Sequence, residues 1–248
     1  MSRQVVVLGG TSGIGLALAR HCLAQGDDVT VCGRDAQRLP AALQATQPRW
    51  RVCSLDVADK AALAAVIHPP GGEPLDLLIV TAGMYFNTRH QAVDAATTLR
   101  MLQTNVSGLS QAFELGAQRM LAQGSGHLVA VSSMAGLMKD YPGASVYSAT
   151  KRTVLSVCHT YQLALAPFGI AVTAVVPGYI DTARLRQLNG GDARRKPFLL
   201  SEAQAVDRIL AAIARRQALC VFPRRLHGVV RLLNALPAWC LRGLLGRP

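Results

Sequence analysis

Short apolar runs alternate with longer amphipathic stretches along almost the whole chain. Leu77–Val80 is apolar at every position, which is typical of a strand buried on both faces of a parallel sheet. The stretches between such runs have the spacing of helices. The pattern predicts strands at 5–8, 29–32, 51–55, 75–80, 126–131, 171–176 and 218–222, and helices at about 13–25, 35–45, 59–67, 94–122, 145–166 and 202–215.

This alternation of strand and helix predicts one α/β domain, a doubly wound Rossmann fold with a parallel sheet of about seven strands. The chain has 248 residues, which one domain of this class can arrange around a single sheet. Proline and glycine clusters at 69–72 and 190–191 mark loops, and no tract is long enough to separate two domains. We assign residues 1–222 to the main domain and residues 223–248 to a short helical C-terminal extension of it.

Basic residues are concentrated near the end of the chain. The net charge is +12; residues 1–181 carry 13 basic and 11 acidic side chains, whereas residues 182–248 carry 13 and 3. A basic protein is a candidate for binding nucleic acid, but the sequence has neither an aromatic-basic stacking platform nor a helix-turn-helix pattern. We therefore expect no nucleic-acid partner and seek a local explanation for the charge.

Cysteine usage and hydropathy bear on the cellular compartment. The six cysteines form no C-x-x-C pair and lie in apolar stretches, which predicts reduced thiols in a cytoplasmic protein. No apolar run reaches the roughly 18 residues that would span a bilayer. The apolar segment 5–19 resembles part of a signal peptide, but its four glycines favour a strand, a loop and a helix.

The first predicted strand runs directly into a glycine-rich segment. Its glycines allow a tight turn and a close approach of the backbone, and the helix that follows can present free N–H groups to a pyrophosphate. A glycine pattern alone is weak evidence, but one placed between the first strand and the first helix of such a chain is strong. The predicted contacts in this loop are Gly9, Thr11, Ser12, Gly13, Ile14 and Gly15.

The end of the second predicted strand indicates which dinucleotide binds. An NAD-binding fold usually has an acidic residue there for the ribose hydroxyl, whereas this chain has Arg34. A guanidinium pairs with a 2′-phosphate and stacks on adenine, and Arg38 lies one turn further on. The sequence therefore predicts NADP(H). Further contacts are predicted at Asp56 and Val57 for the adenine, and at Ala82 and Gly83 for the ribose side.

Four polar residues are candidates for catalysis. Tyr147 and Lys151 are four residues apart and would share one face of a helix, so that the ammonium and a positive nicotinamide could both lower the pKa of the phenol. Ser133 follows the fifth strand, where its hydroxyl could hold a substrate oxygen. Asn105 is a poor helix former within a helix, which suggests a polar role such as holding a water that links Lys151 to solvent.

In this order, the motifs resemble those of the short-chain dehydrogenase/reductase family over about residues 3–183. The resemblance implies that Ser133 polarises the carbonyl, Tyr147 transfers the proton and Lys151 binds the ribose hydroxyls. It also implies that Asn105 holds a relay water and that hydride moves on one nicotinamide face without a metal. Pro177 and Gly178 belong to the same pattern, with Thr182 and the backbone near Ile180 anchoring the carboxamide.

Two positions depart from the family pattern. Val80 and Thr81 stand where the family often has two asparagines before Ala-Gly, which affects the hydrogen bonds of that loop. Ser133 and Tyr147 are also 14 positions apart, one more than the family spacing. Either Ser132 or a bulged loop at 139–142 could account for the extra residue. We favour Ser133, because Ser133 to Gly136 matches the Ser-x-x-Gly phrase of the family.

The family implies that the substrate is selected by the segment after Gly178, here a lid at about 179–200. The lid carries Arg184, Arg186, Arg194, Arg195 and Lys196. These cations could attract an anionic substrate such as an acyl thioester, or they could simply be solvated. We expect a small-molecule substrate, either a hydrophobic carbonyl compound or an acyl thioester.

The C-terminal extension predicts a pair of short apolar helices edged with arginine, with Trp239 near the end. It resembles the tails of family members that act on lipids, steroids or retinoids. Three roles fit: peripheral contact with an anionic membrane, a wall of the substrate mouth, or packing against the core or a subunit. We expect a homodimer.

Two other functions use the same fold. One is a non-catalytic NADP(H)-sensing regulator, which would have no need for the four catalytic residues. The other is an enzyme that modifies nucleotide sugars, for which the short substrate segment leaves little room. The sequence therefore favours an NADP(H)-dependent oxidoreductase that interconverts a carbonyl and an alcohol.

Overall fold

The computed structural model describes residues 2–44, 47–85, 94–138, 145–237 and 240–241. Seven strands in this part of the chain form one parallel sheet. They are β1 Gln4–Leu8, β2 Asp28–Gly33, β3 Trp50–Ser54, β4 Leu77–Val80, β5 His127–Val131, β6 Ala171–Pro177 and β9 Leu219–Phe222. Their order in the sheet is β3-β2-β1-β4-β5-β6-β9, which confirms the predicted fold class. Two further strands, β7 Ile180–Asp181 and β8 Leu200–Ser201, pair with each other outside the sheet.

Helices cover both faces of the sheet. They are α1 Gly13–Ala24, α2 Lys60–Ile67, α3 Ala95–Leu102, α4 Gly108–Gln123, α5 Val146–Leu165, α6 Ala183–Leu188, α7 Glu202–Ala214 and α8 Arg224–Ala235. Alternate residues of a strand point to opposite faces. Val5 and Val7 accordingly pack in the cluster that contains residues of α1 and α7, and Val6 and Leu8 pack with residues of α2, α4 and α5. This two-sided burial explains the continuous apolar runs.

The strand order places a crevice at one end of the sheet. β1 lies between β2 and β4, so the chain leaves β1 toward one edge of the sheet and later returns to its other side. In open α/β sheets, ligands bind outside the carboxyl ends of the strands where the order reverses. The glycine-rich loop follows β1 at this point.

Two predicted helices differ in the structure. Residues 35–45 were predicted as one helix, but the described part contains two separate 3₁₀ turns, Ala36–Arg38 and Ala41–Leu43. Pro40 lies between them; it lacks an N–H and disfavours helical backbone at the residue before it. The predicted helix 94–122 contains a π-helical turn at Gln103–Ser107, between α3 and α4.

The lid and the extension contain structure that the sequence pattern did not predict in detail. The lid holds α6, and the short strands β7 and β8 join its two ends. Of the two predicted tail helices, the first is α8. It packs on the domain through Leu226 and Val230, which lie in a cluster with Met134 and Val176. Most of the second predicted helix, with Trp239, lies outside the described residues.

Within the described ranges, no helix has both the length and the apolar character to cross a bilayer.

Candidate active site

Tyr147 lies in the first turn of α5. The helix begins with a capping box, in which the side chain of Ser145 accepts a hydrogen bond from the backbone of Ser148 and Ser148 bonds back. The hydroxyl of Tyr147 lies beside the hydroxyl of Ser133. On another side, the ring of Tyr85 packs edge-on against the Tyr147 ring, with centroids 4.7 Å apart. The phenol is thus held by one polar and one aromatic contact.

Burial dominates the electrostatic surroundings of Tyr147. It raises the pKa of Tyr147 to about 12; the hydroxyl of Ser133 opposes this rise, and Tyr85 adds to it. The sequence-based prediction counts the ammonium of Lys151 and a positive nicotinamide together, and the ammonium alone does not outweigh burial. The ammonium of Lys151 lies 6.0 Å from the centre of the phenol ring, and burial outweighs its effect. The contribution of a bound nicotinamide stays a prediction.

Lys151 is buried beneath the loop that follows β4. Its Nζ donates a hydrogen bond to the main-chain oxygen of Val131 at 3.0 Å. Burial lowers the pKa of Lys151 to about 8. A Cβ atom at Gly83 would lie 3.1 Å from Nζ, so a glycine at this position leaves room for the ammonium. Within the described residues, Val131 supplies the acceptor for one of the three N–H groups, which leaves two for a ligand.

Asn105 lies in the π-helical turn and is fully buried. Its Oδ1 accepts a bond from the N–H of Met84 at 2.7 Å. Its Nδ2 donates to the oxygen of Met84 at 2.9 Å and to Oγ1 of Thr150 at 3.0 Å. The side chain therefore ties the loop after β4 to α5. Its predicted contact with a relay water stays a prediction.

The structure separates the two adjacent serines. The hydroxyl of Ser132 is buried and donates to the main-chain oxygen of Lys151 at 2.7 Å. The hydroxyl of Ser133 lies beside that of Tyr147 and accepts a hydrogen bond from the N–H of Ala135 at 3.2 Å. Ser133, not Ser132, is thus the serine beside the phenol. The other alternative, a bulged loop at 139–142, lies outside the described residues.

The glycine-rich loop folds tightly over the ends of β1 and β2. The N–H groups of Gly9 and Gly10 both donate to the oxygen of Cys32, at 2.8 and 3.0 Å. Gly9 has a φ of +86°, and a Cβ atom there would lie 2.5 Å from the nitrogen of Ala82. Only glycine fits this position without strain. The hydroxyl of Thr81 lies 3.1 Å from the oxygens of both Leu8 and Gly9, so it supplies hydrogen bonds where the family often has asparagine.

The entrance of α1 is suited to a phosphate. Ser12 occupies the N-cap position of α1 but makes no capping bond there. Gly13 has a φ of +52°, and the nearest atom to a Cβ built on it is Cγ2 of Thr182 at 3.9 Å. Thr182 lies at the N-cap of α6 and thus approaches the loop from the lid side. Thr11 packs against Gly33, and Ile14 packs on the apolar cluster beneath. The open side of this loop is a cradle with free helix N–H groups.

The residues predicted to hold the adenosine lie beyond β2 and β3. The side chain of Arg34 is exposed and forms no ion pair with a described residue. Arg38 lies 3.5 Å from the carboxylate of Asp35, so its charge is partly compensated. Asp56 is exposed and accepts a bond from Ala58 at 3.0 Å. Val57 is buried beneath α4.

The segment after β6 brings the C-terminal extension next to the site. The N–H of Gly178 donates to the oxygen of Phe222 at 2.8 Å. A Cβ atom at Gly178 would lie 2.7 Å from Cδ2 of Leu226, so α8 packs closely on the Pro177–Gly178 turn. Ile180 is buried and leads into the lid.

The sequence did not identify three residues that shape the site. Tyr85 contacts the catalytic candidate Tyr147, and the main chain of Met84 and the hydroxyl of Thr150 hold Asn105. Thr150 lies inside the segment that joins Tyr147 to Lys151, which was the one available signal. The contacts of Tyr85 and Met84 depend on the tertiary fold, and no local pattern reveals them.

Comparisons with known proteins agree with this geometry. The chain is 33% identical over 210 residues to the glycine betaine reductase of Emericella nidulans, matching 83% of this chain but only 16% of that protein. It is 30% identical to an uncharacterized oxidoreductase of Staphylococcus aureus, over 81% of this chain and 88% of that protein. A short-chain dehydrogenase from Sphingobium yanoikuyae, solved in complex with NADPH, superposes with a TM-score of 0.78 at 27% identity, covering 95% of this chain and 96% of that one. The sequence profile of the short chain dehydrogenase family matches residues 3–193, and the chain therefore belongs to that family.

Proposed function

We propose that the protein is an NADP(H)-dependent oxidoreductase that interconverts a carbonyl and an alcohol. The observation that carries the proposal is the placement of the Tyr147 hydroxyl beside that of Ser133, with the buried ammonium of Lys151 one helical turn away. These groups lie beyond the carboxyl ends of the central strands, where the glycine-rich loop follows β1. Membership of the short-chain dehydrogenase family supports the same function.

The residues present fit a dinucleotide. The cradle at Gly9 and Gly13 can accept a pyrophosphate, and the exposed guanidinium of Arg34 is available to a 2′-phosphate. The two N–H groups of Lys151 that Val131 does not use can bind ribose hydroxyls. When bound, the nicotinamide supplies or accepts the hydride. The remaining contacts that we propose are Thr11, Ser12, Ile14, Gly15, Arg38, Asp56, Val57, Ala82, Gly83, Pro177, Gly178, Ile180 and Thr182.

The side chains can then manage the proton. A phenol with a pKa of about 12 keeps its proton at neutral pH, so Tyr147 is suited to donate it to a carbonyl oxygen. Ser133 can donate a hydrogen bond to that oxygen while Tyr147 transfers the proton. Lys151, with a pKa of about 8, is mostly charged at neutral pH and stabilises the phenolate that forms. The arrangement therefore favours reduction.

The contacts of the cationic side chains in the lid favour an apolar substrate over an anionic one. Arg186 forms a bidentate ion pair with Asp181, at 2.7 and 3.0 Å. Arg194 likewise pairs with Asp192 at 3.1 Å. The ammonium of Lys196 lies over the ring of Tyr179, 5.5 Å from its centre. Arg184 also donates to Oε1 of Gln187 at 2.9 Å, so four of the five lid cations are engaged within the lid. We infer that the substrate is a hydrophobic carbonyl compound, and that an acyl thioester is the weaker choice.

The tail and the assembly complete the proposal. The packing of Leu226 and Val230 supports treating residues 223–248 as an extension of the domain formed by residues 1–222. We propose that the outer face of α8 contacts an anionic membrane surface, because Arg224, Arg225 and Arg231 are exposed there beside Leu232. We also propose a cytoplasmic homodimer. The six free cysteines support a reducing compartment.

Replacing Tyr147 by phenylalanine tests the function. The variant keeps the ring contact with Tyr85 but loses the proton donor, so we expect turnover to fall by about 10²-fold or more. The affinity for NADPH should stay near that of the wild type. The assay follows NADPH oxidation with ketones of increasing chain length and with an acyl thioester of coenzyme A. Ordinary turnover by the variant would overturn the mechanism, and a preference for the thioester would overturn the inferred substrate class.

The same assay separates the alternatives. A non-catalytic NADP(H) sensor would bind NADPH in a fluorescence titration but oxidise it with no carbonyl compound. An enzyme that modifies nucleotide sugars would act on those substrates and not on simple ketones. The placement of Tyr147 beside Ser133 argues against a sensor, since a sensor needs no proton donor.

A further inference from the structure

Two cysteines lie side by side beneath the nucleotide end of the sheet. The parallel register of β2 and β3 pairs Cys32 with Cys53, and both side chains pack on the same apolar cluster. Paired residues on neighbouring strands have Cα atoms about 4.8 Å apart. A disulfide spans Cα atoms about 4.4–6.8 Å apart. The two sulfurs therefore need only a local shift of the strands to reach bonding distance.

The two thiols differ in access. Cys32 is fully buried, whereas Cys53 is half-buried on β3, which forms one edge of the sheet. Cys53 also lines a cavity of about 130 Å³, together with Arg51 and Glu73. This space is open to a small reagent from solvent. Cys53 can be attacked from outside, and Cys32 can be reached through Cys53.

The thiols also differ in their readiness to ionise. The hydrogen bond from Cys32 and the nearby charge of Arg51 lower the pKa of the Cys53 thiol. The same bond and burial raise the pKa of the Cys32 thiol. Because the thiolate is the nucleophile in thiol chemistry, Cys53 is the attacking residue of the pair. Cys32 stays protonated and adjacent in the reduced pair, and it gives up its proton to the leaving hydroxyl when its sulfur attacks the oxidised Cys53.

We propose that Cys53 and Cys32 form a site for oxidation by a hydroperoxide, and that the resulting disulfide weakens nucleotide binding. The Cys53 thiolate attacks the terminal peroxide oxygen, the O–O bond breaks, and the alcohol or water leaves after taking a proton. Cys53 is then a sulfenic acid. The sulfur of Cys32 displaces its hydroxyl, giving the disulfide and water. The two thiols lose two electrons and two protons, and the peroxide is reduced by two electrons.

The coupling to the nucleotide runs through the main chain of Cys32. Its oxygen accepts the bonds from Gly9 and Gly10 that hold the glycine-rich loop. Arg34, the proposed partner of the 2′-phosphate, follows two residues later. Drawing the two sulfurs together to about 2.05 Å shifts this part of β2 locally. This second half of the inference rests on the proposed function; the oxidation itself does not.

Peptide mapping tests the oxidation. The reduced full-length protein is treated with equimolar hydrogen peroxide, alkylated and digested with trypsin without reductant. We expect a cross-link between peptides 21–34 and 52–60, and fragmentation distinguishes Cys32 from Cys22. The variants Cys53→Ser and Cys32→Ser should not form it. Cys220→Ser is the matched control, since Cys220 is a half-buried cysteine on the opposite edge strand and burial raises its pKa; this variant should form the cross-link normally.

Absence of the cross-link in the wild type, or equal oxidation of Cys220 and Cys53, would overturn the proposed site. NADPH titration then tests the coupling. Oxidation should raise the Kd about five-fold or more, and dithiothreitol should restore it. The Kd of Cys53→Ser should not respond to peroxide. A cross-linked protein with an unchanged Kd would overturn the coupling alone. If the reduced protein fails to bind NADPH, the proposed function fails, while the cross-link still decides the thiol pair.

Discussion

The ammonium of Lys151 donates a hydrogen bond to the main-chain oxygen of Val131 at 3.0 Å. No acidic side chain among the described residues forms an ion pair with this ammonium. Burial therefore dominates and lowers the pKa of Lys151 to about 8. A buried charge without a counter-charge destabilises the fold, and such a cost is typical of a residue retained for function.

The first prediction concerns this cost. Below pH 8 Lys151 is charged in both the folded and the unfolded chain, so the folded state bears the full cost of burying the ammonium. Between about pH 8 and pH 10.5 the folded protein releases the proton first, and stability rises. Lys151→Met should therefore be more stable than the wild type at pH 7, by about 1–3 kcal/mol. The gain should shrink steadily toward pH 10. Urea denaturation at several pH values measures it.

Lys60→Met is the control for this experiment. Lys60 is exposed and lies 3.9 Å from Glu114, and an exposed ion pair contributes less than about 1 kcal/mol. Its effect should change little between pH 7 and pH 10. If Lys151→Met were less stable than the wild type at pH 7, the hydrogen bond to Val131 would outweigh the burial of the charge.

The second prediction separates the adjacent serines. Ser133→Ala removes the hydroxyl that lies beside that of Tyr147, so turnover should fall by about 10-fold or more while the fold persists. Ser132→Ala leaves the main-chain oxygen of Lys151 without its buried donor. That variant should lose about 1–3 kcal/mol of stability and keep most of its turnover at low temperature. Steady-state kinetics and thermal melts of both variants decide the assignment; the reverse pattern would assign the catalytic hydroxyl to Ser132.

Local sequence was sufficient for much of the fold. The sequence pattern predicted all seven strands of the main sheet, and central strands such as β4 show a continuous apolar run because both of their faces are buried. The glycine-rich loop was predictable for a similar reason, since Gly9 meets a steric limit that only glycine satisfies. The wrong helix at 35–45 was avoidable, because Pro40 was visible in the sequence and outweighs a short amphipathic pattern.

The contacts within the site were not predictable to the same degree. Whether Lys151 faces Tyr147 or Val131 depends on how α5 packs against β5, and a spacing of four residues fixes only the helix face. The raised pKa of Tyr147 likewise follows from burial and from the contact with Tyr85, which the sequence does not localise. Sequence patterns therefore identified the catalytic side chains, and tertiary packing determines their hydrogen-bond partners and pKa values.

The third prediction concerns cofactor preference. Arg34 is exposed and has no ion-pair partner among the described residues, so its whole charge is available to a 2′-phosphate. Arg34→Ala should erase most of the preference for NADPH over NADH, which we expect to be about 10- to 150-fold. Arg38→Ala should have a smaller effect, because Asp35 already neutralises part of that charge. Fluorescence titration with both cofactors measures the ratio; equal affinities in the wild type would contradict the assignment.

The fourth prediction concerns acid stability. His127 is buried, and its Nε2 lies 2.8 Å from Oγ1 of Thr173. Burial, together with the charges of Arg216 and Arg3, lowers the pKa of His127 to about 4. Its neutral form therefore stabilises the folded state above pH 6.5, and this contribution is lost as the pH falls toward 4. The wild type should lose up to about 3 kcal/mol more than His127→Gln over this interval.

Urea denaturation of both proteins at pH 7, 5.5 and 4.5 measures this difference. The exposed His159, replaced in the same way, is the control and should leave the pH dependence unchanged. Parallel stability curves for the wild type and His127→Gln would show that His127 does not govern the acid response.

The fifth prediction concerns the two faces of α8. The inner face packs on the domain, and Leu226 fits against Gly178. Leu226→Ala should therefore cost about 2–4 kcal/mol of stability. Leu232 lies on the outer face, and 64% of its surface is exposed. Leu232→Ala should change stability by less than about 0.5 kcal/mol, because it removes no buried contact. Thermal melts of the two variants compare the faces directly.

The outer face provides the membrane test. Arg224, Arg225 and Arg231 are exposed, and each arginine near an anionic surface contributes about 1 kcal/mol of attraction that salt screens. The wild type should sediment with phosphatidylglycerol vesicles at low salt and be released as salt rises. Substituting the three arginines by glutamine should abolish vesicle binding without lowering the melting temperature. By contrast, Leu226→Ala should lower the melting temperature, because it removes packing on the inner face. Because attraction and packing use opposite faces of one helix, the two effects are separable. A wild type that stays in the supernatant at low salt would end the membrane proposal and leave α8 as a packed wall beside Gly178.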